Sequence, residues 1–340
     1  MATRSKHVPD LIDILPRQGP SSARELGAAL GVSQPTVSRA LAAAGSRVVR
    51  WGQTNRARYG ARRNVRGLGS EWPVFRVDSQ GRPHEFGQLT ALHGSGTVVL
   101  PASQTDWLRG DFVDGHFPGV PWFLDDQRPQ GFLGRQFAQR WSSDPGLSRD
   151  ILQWDDDAVL AALLLHGDDG PGNFVLGEVA LRQALQSTPD AMPSASRERL
   201  YARMAEAALA GESVGSSAAG EQPKFTTTID DGNGSPRHVI VKFSEPVESS
   251  AAARRWADLL ISEHIASEFL AERGNASSRT ELVWSEGRAC LEVTRFDRIG
   301  AVWLRSPRGV MPTTGSVIAG PSRPFACNET AGSMQARRSR

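Results

Sequence analysis

Two short stretches decide how this sequence is read: SSAAGEQPKF, Ser216 to Phe225, and HVIVKF, His238 to Phe243. They hold Lys224 and Lys242, two of only three lysines in 340 residues that otherwise use arginine for positive charge; the third is Lys6. A lysine kept among arginines suits a place where a compact ammonium on a slim stem fits and a guanidinium fork does not. The glycines of GSSAAGE, Gly215 to Glu221, approach the spacing of a P-loop. That motif requires lysine and then Ser or Thr where Glu221 and Gln222 stand, and a carboxylate there repels a β/γ-phosphate. The P-loop reading fails. Alternation in HVIVKF puts Val239, Val241 and Phe243 on one face and Ile240 and Lys242 on the other. With FTTTI before it and the turn-rich DDGNGS between, the pattern predicts a β-hairpin.

The composition bounds what surrounds this hairpin. The length allows two or three domains, and 39% apolar residues suffice for real cores. No apolar run reaches 18 residues, so no membrane span is expected. The opening MATRSKHVPD lacks the apolar core of a signal peptide. Cys290 and Cys327 stand at no motif spacing, which fits a reducing cytoplasm. The seven histidines sit without a second ligand at helix or strand spacing, so no metal ligand is assigned. The net charge of +2 conceals an asymmetry: residues 1–66 carry +9 and the remainder −7. A basic head on an acidic body is the footprint of a nucleic-acid-binding module fused to something else.

The head reads as a winged helix. VPDLIDILP predicts a short helix ended by Pro16 and Gly19. SSARELGAALG follows with a capping box, Ser22 with Glu25, and stops at Gly31. After a short turn, Ser33 is placed to cap QPTVSRALAAAG, with Val37 and Leu41 inward and Gln34, Thr36, Ser38 and Arg39 outward. Small polar residues and an arginine at the start of a second helix suit a major groove. SRVVRWG and ARYGARR then predict two strands around QTNR, placing Arg56 and Arg58 on a wing beside the DNA backbone. The competing reading is a helical domain used for protein contacts.

Downstream, WPVFRVDSQGRPHEFGQLTAL and GTVVL predict strands, DDDAVLAALLLHGDD a helix with an acidic N-terminus, and SRERLYARMAEAALAG another helix. The helix AAARRWADLLISEHIASEFLAERG places Trp256, Leu259, Leu260, Ala266 and Leu270 on one face, with Glu263 on that stripe. The motifs FPGVPWFLDDQRPQGFLGRQFA, LHGDDGPGNFVLGE, SSAAGEQPKF, VIVKFSEP and LEVTRFDR come in an order that resembles the HipA-like serine/threonine kinases. The resemblance is closest to the YjjJ branch, whose members carry an N-terminal winged helix.

That resemblance implies an α+β multidomain protein: a winged helix-turn-helix over 1–66, a HipA N-terminal mixed α/β domain over 67–205, the small nucleotide-binding lobe of a protein-kinase-like fold over 206–298, and an irregular tail over 299–340. It implies ATP and Mg as cofactors. Lys242 would pair with phosphate and with Glu263; Glu263 as a boundary residue reaching solvent is the alternative. Lys224 would close the phosphate loop, or else be a charge on a hairpin edge. Ser217 would be the autophosphorylated serine, and Phe296 would pack on adenine or serve as plain core. Thr294 stands where relatives usually have Glu. Expected partners are duplex DNA, an antitoxin and a protein substrate such as an aminoacyl-tRNA synthetase; a homodimer is compatible, a membrane is not. The family places its catalytic and metal-binding aspartates after RFDR, whereas Asp297 is the last aspartate here. The expectation is therefore a truncated, catalytically inactive homologue with no catalytic residue assigned; a frameshift, a truncated gene and a genuine short variant all produce such a tail. The alternative function is a DNA-binding transcriptional regulator whose body senses a ligand or binds a partner, and an antitoxin-like interaction module is a third reading.

Overall fold

A computed structural model of the chain describes residues 8–94, 96–100, 112–144, 146–187, 190–211, 220–234 and 236–298. The expected residue Ser217 and the tail from 299 lie outside the described residues. The architecture is mixed α+β, in several sheets and helices.

The head begins with α1 (Val8–Gln18), α2 (Ala23–Leu30) and α3 (Gln34–Ala44), followed by the antiparallel strands β1 (Val48–Trp51) and β2 (Arg58–Ala61). Leu11, Leu15, Leu26, Val37, Ala40 and Leu41 form its buried centre. The capping box at α2 is formed, with Ser22 and Glu25 bonded reciprocally. Two details differ from expectation. Pro16 lies inside α1 rather than ending it; the helix stops before Gly19, whose φ of 75° takes it into the left-handed region while its N–H reaches the Leu15 carbonyl. Ser33 occupies the N-cap position of α3, but its hydroxyl meets the Thr36 hydroxyl instead of a backbone N–H.

A five-stranded sheet follows, in the order β6-β5-β4-β3-β7, from β3 (Glu71–Val77), β4 (Pro83–Ala91), β5 (Thr97–Leu100), β6 (His116–Phe117) and β7 (Phe174–Leu176). Between β6 and β7 lie α4 (Trp122–Asp125), α5 (Gly131–Arg140) and α6 (Asp156–His166). Ala158 to Leu164 are all buried in α6, as expected of a helix that is apolar all round, and it fills the largest core together with Leu89, Phe117 and Leu124. After β7 comes α7 (Glu178–Gln186).

The second five-stranded sheet has the order β11-β12-β10-β9-β8: β8 (Ala191–Pro193), then after α8 (Arg197–Leu209) the strands β9 (Lys224–Asp230) and β10 (Arg237–Phe243), and after α9 (Ala251–Glu272) the strands β11 (Thr280–Ser285) and β12 (Arg288–Thr294). The expected hairpin is present as β9–β10. Strand alternation gives each face to one helix. Phe225, Val239, Val241 and Cys290 pack with Tyr201 and Ala205 of α8, and Leu291 and Ala289 pack with Ala257 and Leu260 of α9. On the α8 side the fully buried Glu292 accepts from the Tyr201 hydroxyl at 2.6 Å and pairs with Arg197 and Arg237, which satisfies its charge.

Of the apolar stripe read on α9, only Leu260 lies on its buried face. Ala253, Ala257 and Leu260 are buried, while Trp256, Leu259, Ala266 and Leu270 are exposed, together with Ile265 and Phe269. Small residues let the helix sit close on the sheet, so the contact line follows the alanines and the bulky residues flank it. No helix among the described residues is long and apolar enough to cross a membrane.

Candidate functional site

Lys224 and Lys242 stand directly opposite each other on β9 and β10, and so on the same face of the sheet. This is the α9 face, and α9 brings Glu263 to it: the Lys242 Nζ to Glu263 Oε1 distance is 2.5 Å. The pair is half-buried rather than sealed, with side chains 23% and 38% exposed. Two like charges directly across a strand pair repel, and the Glu221 and Glu263 carboxylates offset only part of that. Lys224 is 4% exposed and donates to the Gly220 carbonyl at 3.0 Å. Burial first, and then the Lys242 charge beside it, pull its ammonium below the usual lysine range. The edge-charge reading of Lys224 does not hold, because the side chain is buried. Two ammonium groups a few residues after the Gly/Ser/Ala-rich stretch of the sequence, one steered by a carboxylate, suit an anionic oxygen cluster such as a phosphate chain.

Gly220, where the described chain resumes, is held from outside its own sheet. Its carbonyl also accepts from the Phe132 N–H at the start of α5 at 3.0 Å, and Arg135 of α5 pairs with Glu221 at 2.7 Å. A Cβ on Gly131 would stand 2.5 Å from the Gly220 oxygen, and Gly131 has φ of 66°, so glycine is required on both counts. Sequence reasoning missed this clamp, since nothing local in QGFLG signals a contact with a loop so far along the chain.

At the end of β12 the candidates separate. Phe296 is 62% exposed, which excludes the core alternative and leaves its ring free to meet a flat ligand. Thr294 pairs with Val239 and so lies on the face opposite Lys242. Its hydroxyl is buried with no hydrogen-bond partner among the described residues. Asp297 is not available for chemistry. Its carboxylate accepts from Arg295, from Arg298 at 2.8 Å and from the Gly172 N–H at 3.0 Å, and Asp169 pairs with both arginines. Against the opposing effect of burial, Arg295 and Arg298 hold Asp297 far below the usual carboxylate range. Burial, then repulsion from Arg295, lowers Arg298. This cluster joins the GDDGPG turn to the RFDR segment. The signal for it was present in the sequence, as an acid flanked by arginines at both sides of one phenylalanine. Among the described residues no group of three or more His, Cys, Asp or Glu could hold a metal.

In the head, Gln34, Ser38 and Arg39 are exposed on α3, and Arg56 is exposed in the turn between β1 and β2. Thr36 is half-buried and engaged by Ser33 and by Arg39. Arg58 pairs with Glu25 at 2.9 Å, so it faces α2.

Comparison with known proteins places these elements in families. Residues 68–185 match the YjjJ-like toxin middle domain, and residues 216–316 match the HipA-like C-terminal domain. Over 290 residues, 85% of this chain, the sequence is 39% identical to Toxin YjjJ of Escherichia coli (strain K12). The match spans 63% of that relative's own length.

Proposed function

The chain belongs to the HipA-like proteins, and from this we propose that it is a YjjJ-type toxin homologue of the serine/threonine kinase class with a DNA-binding head. The observation that carries the kinase-class reading is the Lys242–Glu263 pair beside buried Lys224. A strand lysine steered by a helix carboxylate, next to a small-residue loop, is how protein kinases hold ATP phosphates. Residues 206–298 act as the nucleotide-binding small lobe. In it Lys242 and Lys224 bind phosphate oxygens, Glu263 orients Lys242, Phe296 offers a ring to the base, and Ser217 is the candidate modified residue. ATP is the nucleotide such a lobe would hold.

Among the described residues Asp297 is held between two arginines, which occupy its carboxylate. With that carboxylate occupied, the proposed reading is that the chain binds nucleotide through Lys242 and Lys224 without transferring phosphate. The head acts as a winged helix that presents Gln34, Ser38 and Arg39 to a major groove. The toxin class implies an antitoxin and a protein substrate as partners.

Incubation with radiolabelled ATP and magnesium, beside ATP-dependent thermal shifts, tests both halves. The expectation is a melting shift with ATP that Lys242→Ala abolishes, and no label on the protein. No shift with the unaltered chain would remove the nucleotide reading; label on Ser217 that vanishes in Lys242→Ala would overturn the claim of inactivity.

A further inference from the structure

We propose that Arg50 is a phosphate-binding residue of the head, and that the groove between α3 and the β1–β2 hairpin carries the sugar–phosphate backbone of a bound duplex. This rests on the DNA-binding reading above. It shifts the wing's contact from the residues nearest its tip to a residue on its first strand.

The two faces of the hairpin have different fates. Val49 and Trp51 point one way and are buried against Leu92 and Val98 of the following sheet. Arg58, opposite Trp51, shares that face and is taken by Glu25. Three further arginines near the head's end are also spoken for: Arg62 pairs with Glu71, Arg63 with Asp157 and Arg66 with Asp155. Gly94 comes so close to Gly19 that a Cβ on it would stand 2.8 Å from the Gly19 Cα. The head is thus packed against the body along one side of the hairpin, and that side is closed to a duplex.

The other face packs on the head's helical core through Val48, Tyr59 and Ala61, and leaves Arg50 exposed at its end. Arg50 pairs across the strands with Tyr59, is exposed, and has no acidic partner among the described residues. With Ser38, Leu41 and Ala42 of α3, and with Val48 and Tyr59, it lines a groove of about 270 Å³. Leu41 and Val48 make an apolar floor; Ser38 and Arg50 stand at the rim. Deoxyribose is apolar on its carbon faces and carries an anionic phosphate on each side, which matches an apolar floor with a guanidinium at its edge. Ser38, one of the outward residues of α3, ties the groove to the helix that would read bases. Residues 1–66 carry +9, and with Arg62, Arg63 and Arg66 offset by carboxylates of the body the remaining +6 supplies the complementary field.

The test uses the full chain and a fluorescent mixed-sequence duplex titrated over a range of salt concentrations. Arg50→Ala should weaken binding about threefold to tenfold on every duplex alike and make the salt slope shallower by about one, as loss of one phosphate contact does. Arg50→Lys should keep most of the slope, which separates charge loss from misfolding. Arg76→Ala, the same charge removed from an exposed position on β3 of the body, should track the unaltered chain. If Arg39→Ala weakens binding while Arg50→Ala leaves affinity and slope unchanged, the assignment of Arg50 is wrong and the DNA-binding reading stands. If the unaltered chain binds no duplex at low salt, both fall.

Discussion

Replacing Asp297 with asparagine keeps the shape of the side chain and removes the charge that two buried arginines share. The side chains of Arg295 and Arg298 are 4% and 0% exposed, and Asp169 is the other carboxylate between them. Two guanidinium groups would be left with one counter-charge in a place closed to water. Breaking a buried ion pair by removing one partner costs about 3–5 kcal/mol. For a unit of this size the unfolding entropy is roughly 0.6 kcal/mol per degree, so the melting temperature should fall by about 5–8 °C. Differential scanning calorimetry near neutral pH measures it directly. The effect depends on pH with a definite sign. The Asp297 carboxyl is held below its ordinary value in the folded state, so its contribution is complete above the unfolded value of about 3.9 and is lost as pH falls toward the folded one. The gap between the unaltered chain and Asp297→Asn should therefore close in acid and stay constant above it. Replacing all four charges together, with Asn for the two aspartates and Met for the two arginines, should cost much less than Asp297→Asn alone. Equal melting of Asp297→Asn and the unaltered chain near neutral pH would refute the view that this cluster is energetically coupled to folding.

Three further outcomes follow from the same geometry. Lys242→Arg should fail to restore the ATP-dependent melting shift that Lys242→Ala loses, because the wider fork cannot sit against Glu263 and reach phosphate together; restored binding in isothermal calorimetry would contradict the steric argument. Gly131→Ala should push the Gly220 carbonyl away from Lys224 and Phe132, destabilising the fold by about 1–3 kcal/mol and weakening ATP binding, which a paired denaturation and calorimetry series would register. Ser22→Ala should remove the capping box of α2 at a cost of about 1 kcal/mol in urea unfolding, with the ATP-dependent shift unaffected.

Much of this protein is local and so was legible in its sequence. The capping box at Ser22, the β9–β10 hairpin and the acidic start of α6 follow from propensities and spacing within a few residues. So does the face on which Lys242 stands, because strand alternation leaves no choice once the strand is placed. The Lys242–Glu263 pair was foreseeable as chemistry, since a carboxylate among apolar helix residues asks for a partner. What the sequence could not contain was distance between elements. Which stripe of α9 meets the sheet was decided by how closely alanines allow a helix to approach, not by where the large apolar residues cluster. Arg58 reads as a wing arginine and Arg50 is not singled out, and only the register of β1 with β2 and the packing of Trp51 against the body sends Arg58 to Glu25 and leaves Arg50 exposed. Asp297 could be counted as the last aspartate, but its capture by Arg295 and Arg298 depends on a turn at Asp169 more than a hundred residues earlier in the chain. Side-chain character is written residue by residue, whereas charge pairing and exposure belong to surfaces that exist only after remote segments have packed.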